Sequence, residues 1–171
     1  MSEFIAEPTS RKNIRNLTRL IRDQFELSDE RYFPVIPFLE FGLSQIDSDF
    51  SLEIAPKNEM PNDYALTFPE TNKIKIRQDV YDRAIDGVPR DRFTIAHEIG
   101  HYIMHRPGFF ALARNHNKEK IPSYKDPEWQ ANTFAGEILA PLNIIKGLTK
   151  EEVSRQCGVS LKVAEIQLNK L

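Results

Sequence analysis

Ile14, Leu17, Leu20, Ile21 and Phe25 recur at intervals of three and four residues, the spacing that lines one face of a helix. Thr9 and Ser10 stand just ahead of them with hydroxyls able to accept from a first-turn amide, so the pattern predicts an amphipathic helix over 11–26. Pro34 and Pro37 punctuate a shorter helix around 37–45. From Phe50 to Arg77 the period drops to two. Tyr64, Leu66 and Phe68 alternate, Pro69 to Asn72 read as a turn, and Ile74 and Ile76 alternate again, which predicts a β-hairpin. Ser51 to Ala55 supplies a third strand, giving a small antiparallel sheet with one face on the core and one in water. Residues 79–86 add a helical turn before Gly87 and Pro89, and everything beyond reads as helix or loop. Helices are predicted over about 90–105, ended by Pro107-Gly108, over about 127–139, ended by Pro141, and as a pair within 149–171 joined near Gly158. The polar segment 106–125 is long for a connection, and both a substrate-gating loop and an ordinary surface crossing are open for it.

These elements make an α+β protein. With 171 residues, 40% of them hydrophobic, the chain can bury a real core and fits one domain with a small appendage. We place the main domain at 1–148 and a helix-turn-helix-like appendage at 149–171. A formal charge of −2 gives no overall cationic field to draw it onto a polyanion. Cys157 is the only cysteine, which rules out an intrachain disulfide framework and fits a reducing compartment. Met1 to Ser10 carry Glu3 and Glu7 and no apolar run, unlike a secretion signal. No stretch approaches the roughly 18 apolar residues that span a bilayer. A cytoplasmic protein with no membrane attachment is expected.

The candidate chemistry lies in His97-Glu98-Ile99-Gly100-His101, set among Phe93, Ala96, Ile99, Ile103 and Met104 at helical spacing. Histidines four apart on a helix face the same way with Cβ atoms about 5–6 Å apart, so both imidazoles can reach one zinc ion at about 2.0–2.1 Å. Glu98, turned about 100° from His97, flanks that ion and can accept a proton from a water it activates. This is the H-E-x-x-H arrangement. The competing reading, two satisfied core histidines, would bury an expensive set of polar groups without a partner.

A catalytic zinc site keeps three protein ligands and one open position. His105, His116, Asp126, Glu128 and Cys157 are the candidates for the third ligand. His105 lies about 12 Å along the same helix from His97, which casts it as a neighbour or core histidine. Neither the polar loop around His116 nor the turn near Cys157 argues for ligation. Asp126 and Pro127 form a cap and first-turn pair for a helix that buries Ala131, Phe134, Ala135, Ile138 and Leu139. Ala135 lies about 20° around the axis from Glu128, so this carboxylate is expected to point toward the core side and to need a cation. The alternative is an exposed N-terminal glutamate favoured by the helix dipole. Gly100, Ala131 and Ala135 would let the two helices approach closely, and Asn132 could accept the second N–H of a ligating histidine.

Arg92-Phe93-Thr94-Ile95-Ala96-His97-Glu98-Ile99-Gly100-His101, then Glu128-Trp129-Gln130-Ala131-Asn132-Thr133-Phe134-Ala135 and Leu139-Ala140-Pro141, resemble the ImmA/IrrE family of metallopeptidases over about 90–141. The resemblance implies a minimal zincin-like domain with zinc held by His97, His101 and Glu128 and with Glu98 as catalytic base. It implies a protein substrate, commonly an Xre/Cro-type helix-turn-helix repressor encoded nearby, in phage or mobile-element, stress-response or toxin–antitoxin settings.

On that mechanism Glu98 takes a proton and later delivers it to the leaving amine, and the edge of the strand 73–77 aligns an extended substrate by backbone pairing. Tyr102, Tyr124, His105 and His116 are candidates for the oxyanion partner. One rival keeps the metal but makes the protein a regulatory or toxin–antitoxin component that binds its partner without proteolysis. Another uses 149–171 to bind DNA. There Lys150, Arg155, Lys162 and Lys170 face Glu151, Glu152 and Glu165, a surplus of one positive charge. Tight phosphate binding needs more, which favours packing or substrate docking for this segment.

Overall fold

The computed structural model describes residues 4–106, 112–114 and 120–171. Strand β1 (Phe4–Ala6) leads to helix α1 (Arg11–Gln24), begun where the Ser10 hydroxyl accepts the Asn13 amide at 3.1 Å. The helix predicted around 37–45 is longer and irregular: α2 (Val35–Pro37) runs through a π-helical stretch, Phe38–Gly42, into α3 (Leu43–Ile46).

The sheet corrects the antiparallel expectation. Strands β2 (Ser51–Ala55), β3 (Ala65–Phe68) and β4 (Lys73–Arg77) stand in the order β2-β4-β3. β3 and β4 form the predicted antiparallel hairpin, Ala65 opposite Ile76 and Phe68 opposite Lys73, turned through Asn72 in the left-handed region. β2, however, runs parallel to β4, with Ser51 opposite Lys73 and Ala55 opposite Arg77. Alternation reports which face a side chain takes and is silent on strand direction. Here the connection 56–64 carries the chain past β4 instead of turning it back on β2. Ile74 and Ile76, both fully buried, put one face of the sheet on the core.

β4 passes directly into α4 (Gln78–Ile85), and α5 (Pro89–Met104) follows with Pro89 in its first turn, where no amide hydrogen is missed. A further strand, β5 (Leu112–Arg114), pairs antiparallel with β1. The expectation of only helix and loop after the hairpin therefore fails there, because three-residue strands are too short to show a period. Residues 107–111 and 115–119, which carry much of the polar segment 106–125 and His116, lie outside the described residues.

The Asp126 carboxylate accepts the Glu128 amide at 3.0 Å and begins α6 (Pro127–Leu139). After α7 (Leu142–Ile145), Thr149 and Glu152 cap each other's backbone amides to start α8 (Lys150–Cys157), and Ser160 caps α9 (Leu161–Leu168). Between them Gly158 takes φ +65° against Tyr32, whose ring would lie 2.4 Å from any Cβ there. Val153, Cys157, Val159 and Ala164 belong to the same buried cluster as Ile95, Ile99 and Phe134. Buried Arg92 fastens this tail to α5: its guanidinium donates to the carbonyls of Gly158 at 3.1 Å and Phe33 at 3.0 Å and lies over the Tyr32 ring. Among the described residues no helix is long and apolar enough to cross a membrane.

Candidate metal centre

α5 and α6 pack closely because Gly100 lies against Phe134, whose Cδ1 would be 2.9 Å from a Cβ on Gly100, while Ala131 and Ala135 are fully buried. His97 and His101, four residues apart on α5, present their rings together with centroids 4.6 Å apart, and each side chain is 15% exposed. Glu128, in the first turn of α6, reaches both. Its Oε2 lies 3.1 Å from His97 Nε2 and its Oε1 lies 3.1 Å from His101 Nε2. One donor atom from each residue falls within 4.8 Å of the other two. Two imidazole nitrogens and a carboxylate oxygen at this spacing are a donor set that could hold a metal ion.

Glu128 is placed differently from the expectation that it points toward the core. Its side chain is 58% exposed, while Ala135, two turns on, is fully buried. Sharing a helical face with a buried residue does not bury a side chain in the first turn, where α6 emerges at the rim. The exposed position and the contact with both histidines coexist. Hydrogen bonds from His101 and His97 hold the Glu128 carboxyl well below the usual range. Burial works to lower His97, but its hydrogen bond to Glu128 and the charges of Glu98 and Glu128 outweigh burial and raise it.

Glu98 lies close enough to His101, His97 and Glu128 to feel their charges, and burial pushes its pKa up. Its carboxylate accepts the Thr67 hydroxyl at 2.5 Å. Thr67 was not singled out in the sequence, where it carries no local signal, since its contact depends on how β3 lies against α5. Asn132 Oδ1 stands 2.8 Å from His97 Nδ1. The structure thus gathers His97, Glu98, His101, Glu128 and Asn132 at one place.

The remaining candidates have other surroundings, and one of them, His105, touches this place through His101. Tyr102 is fully buried and donates its hydroxyl to Asp47, so it cannot serve as an oxyanion partner. His105 is buried between His101 and Gln130, and burial pushes its pKa down to about 4. Tyr124 is exposed, Cys157 is buried in α8, and Asp126 caps α6. The strand 73–77 has no free edge to offer an extended substrate, because β4 is central and paired on both sides. Sequence periodicity could not rank the strands across the sheet. The edge strand of the hairpin is β3, which packs on α5 and bears Thr67.

Two helices that bring two histidines and a carboxylate to one point, beside a second carboxylate and a small sheet, form a centre of the metallopeptidase type. Residues 57–169 match the peptidase family described as the IrrE N-terminal-like domain, and the chain belongs to this ImmA/IrrE family. The three-stranded mixed sheet with its helices is compatible with a small zincin-like domain. No curated protein matches the chain.

Proposed function

We propose that the protein is a zinc-dependent endopeptidase of the cytoplasm that cuts an Xre/Cro-type repressor or antitoxin and so releases silenced genes. The observation that carries the peptidase reading is the convergence of His97, His101 and Glu128 within 4.8 Å, with Glu98 alongside. Family membership supports it, and the substrate class rests on the likeness to ImmA/IrrE proteins. The donor set suits zinc, with His97, His101 and Glu128 as ligands and Asn132 orienting His97. A zinc ion held there supplies Lewis-acid polarisation of a peptide carbonyl and brings the pKa of water toward about 7.

The chain's own residues carry the proton. Glu98 is the base that accepts it and then passes it to the departing amine. Thr67, donating to Glu98, fixes the orientation of that carboxylate. β3, an edge strand next to α5, offers backbone groups on which an extended peptide can pair. Co-expression with the neighbouring repressor tests the proposal: cleavage that stops with chelator is expected, and a stable complex with no cleavage would favour a regulatory binder. Glu98→Gln should abolish cleavage and retain zinc, so normal turnover in that variant rejects the base. Elemental analysis of Glu128→Ala should find zinc depleted, and an undiminished metal content rejects the third ligand.

A further inference from the structure

His105 lies one turn beyond His101, at the C-cap of α5, and is 3% exposed. Both its ring nitrogens are taken: Nδ1 is 2.9 Å from His101 Nδ1, and Nε2 is 2.8 Å from Gln130 Oε1. Gln130 is fully buried, and its amide nitrogen donates to the backbone carbonyls of Glu7 and Tyr124, each at 2.9 Å. Carbonyls accept only, so the amide cannot be turned round, and the Gln130 oxygen is left as an acceptor facing His105. The Nε2 of His105 therefore donates. A histidine that gives Nε2 to a metal carries its proton on Nδ1, and that proton needs an acceptor. One proton fits between two ring nitrogens 2.9 Å apart, and the bare Nδ1 of His105 receives it.

We infer that Gln130 and His105 are positioning residues for the candidate ligand His101. They form a one-way hydrogen-bond relay, anchored on two backbone carbonyls, that fixes the His101 ring with Nδ1 as the relay's donor and leaves Nε2, which faces Glu128 Oε1 at 3.1 Å, as the nitrogen for the metal. The inference rests on the proposed role of His101 as a metal ligand. The two histidines are thereby held by different means: His97 by one amide at the rim, His101 by a relay reaching through the interior to the chain just before α1.

Long-range proton–nitrogen NMR of the zinc-loaded protein reads the relay directly. His105 should carry its proton on Nε2 and His101 on Nδ1, and the opposite assignment overturns the relay. Zinc affinity, measured by competition with a chromophoric chelator, supplies a second readout. In His105→Asn the Oδ1 atom stands where Nδ1 stood and keeps an acceptor for His101, whereas His105→Gln reaches toward Gln130 and leaves His101 without one. The Asn variant should stay within about threefold of the parent and the Gln variant should lose about 10–100-fold. A purely structural role would favour Gln, so equal affinities or the reverse order overturn the relay. Melting of the metal-free variants reports folding separately. A parent protein that binds no zinc rejects the metal centre itself, while zinc binding with reversed tautomers rejects the relay alone.

Discussion

Gly100 sits between the two candidate ligand histidines of α5, against Phe134 of α6, and Gly100→Ala tests how finely that approach is set. The added methyl carbon would lie 2.9 Å from Phe134 Cδ1 and 3.0 Å from its Cβ and Cγ, where ordinary contact begins at 3.4 Å. The shortfall, 3.4 − 2.9, is about 0.5 Å. Phe134 is fully buried and close-packed, so the helices must part by a few tenths of an ångström. Overpacking of this kind costs about 1–3 kcal/mol, and replacing glycine in a helix interior returns about 1 kcal/mol. A net loss of about 1 kcal/mol remains, or about 2–4 °C in the Tm of the metal-free protein at this size. Separation of α5 from α6 also widens the gap between the histidines and Glu128, so zinc affinity should fall in the same variant. The assay is a double-mutant cycle with Phe134→Ala, reading melting temperature and zinc affinity. Truncation at Cβ removes the Cγ and Cδ1 contacts, so Gly100→Ala should cost less in that background. A melting temperature at or above that of the parent, or strictly additive effects, would refute the close-approach argument.

Arg92→Leu leaves the carbonyls of Gly158 and Phe33 without their donor, and at about 1–3 kcal/mol per buried unsatisfied group the loss should be about 3 kcal/mol. Urea unfolding measures it, hydrogen exchange should rise first in α8 and α9, and a loss below about 1 kcal/mol would contradict the stapling role. Thr67→Val removes the hydroxyl that orients Glu98, and a hydrogen bond to a charged group contributes about 1.5–3 kcal/mol, so kcat should fall about 10–100-fold with zinc content unchanged. An unaltered kcat would separate Thr67 from the chemistry. Hydrogen bonds from Arg77 and then Arg83 hold the Asp79 carboxyl well below the usual range. Its stabilisation is therefore complete above the unfolded pKa of about 3.9 and is lost as pH falls through the lower folded value. Asp79→Asn should lower the urea midpoint at pH 7, and its difference from the parent should shrink below about pH 4; a difference constant from pH 7 to pH 3 would rule out this linkage.

What could be read from the chain was what a single element decides. Ser10 and Asp126 announce helix starts through a hydroxyl and a carboxylate, and α6 spans 127–139 as the pattern predicts. His97 and His101 share a face because the helix repeat requires it. Contacts between elements were legible only where residue size limits the options, as at Gly100, Ala131 and Ala135. The direction of β2, the central place of β4 and the ribbon of β1 with β5 depend on where connections carry the chain, and alternation has no term for that. Glu128 shows the same limit within the site. Its angle around α6 gave its side of the helix, but its exposure depends on which neighbours cover the first turn.

The site also depends on chain that the family match leaves out. The match begins at residue 57, yet α1, earlier in the sequence, grips the far end of the helix that carries Glu128. Glu137 is fully buried on α6 and is satisfied by Arg15 at 3.1 and 3.2 Å and by Arg11 at 3.3 Å. Arg22, also buried, donates through two nitrogens to the Ile138 carbonyl at 2.9 and 2.7 Å. A carboxylate and a carbonyl buried at the end of α6 cannot be left bare without a cost of several kcal/mol. At the other end, Gln130 draws on the Glu7 carbonyl, again from the first residues of the chain. α6 is thus held at both ends by the segment before the sheet, and α5 is held by the tail through Arg92. Two helices each fixed at one end by a buried guanidinium, and spaced by Gly100 against Phe134, leave little freedom in the distance between the histidines and Glu128. That distance decides whether three side chains can share one ion.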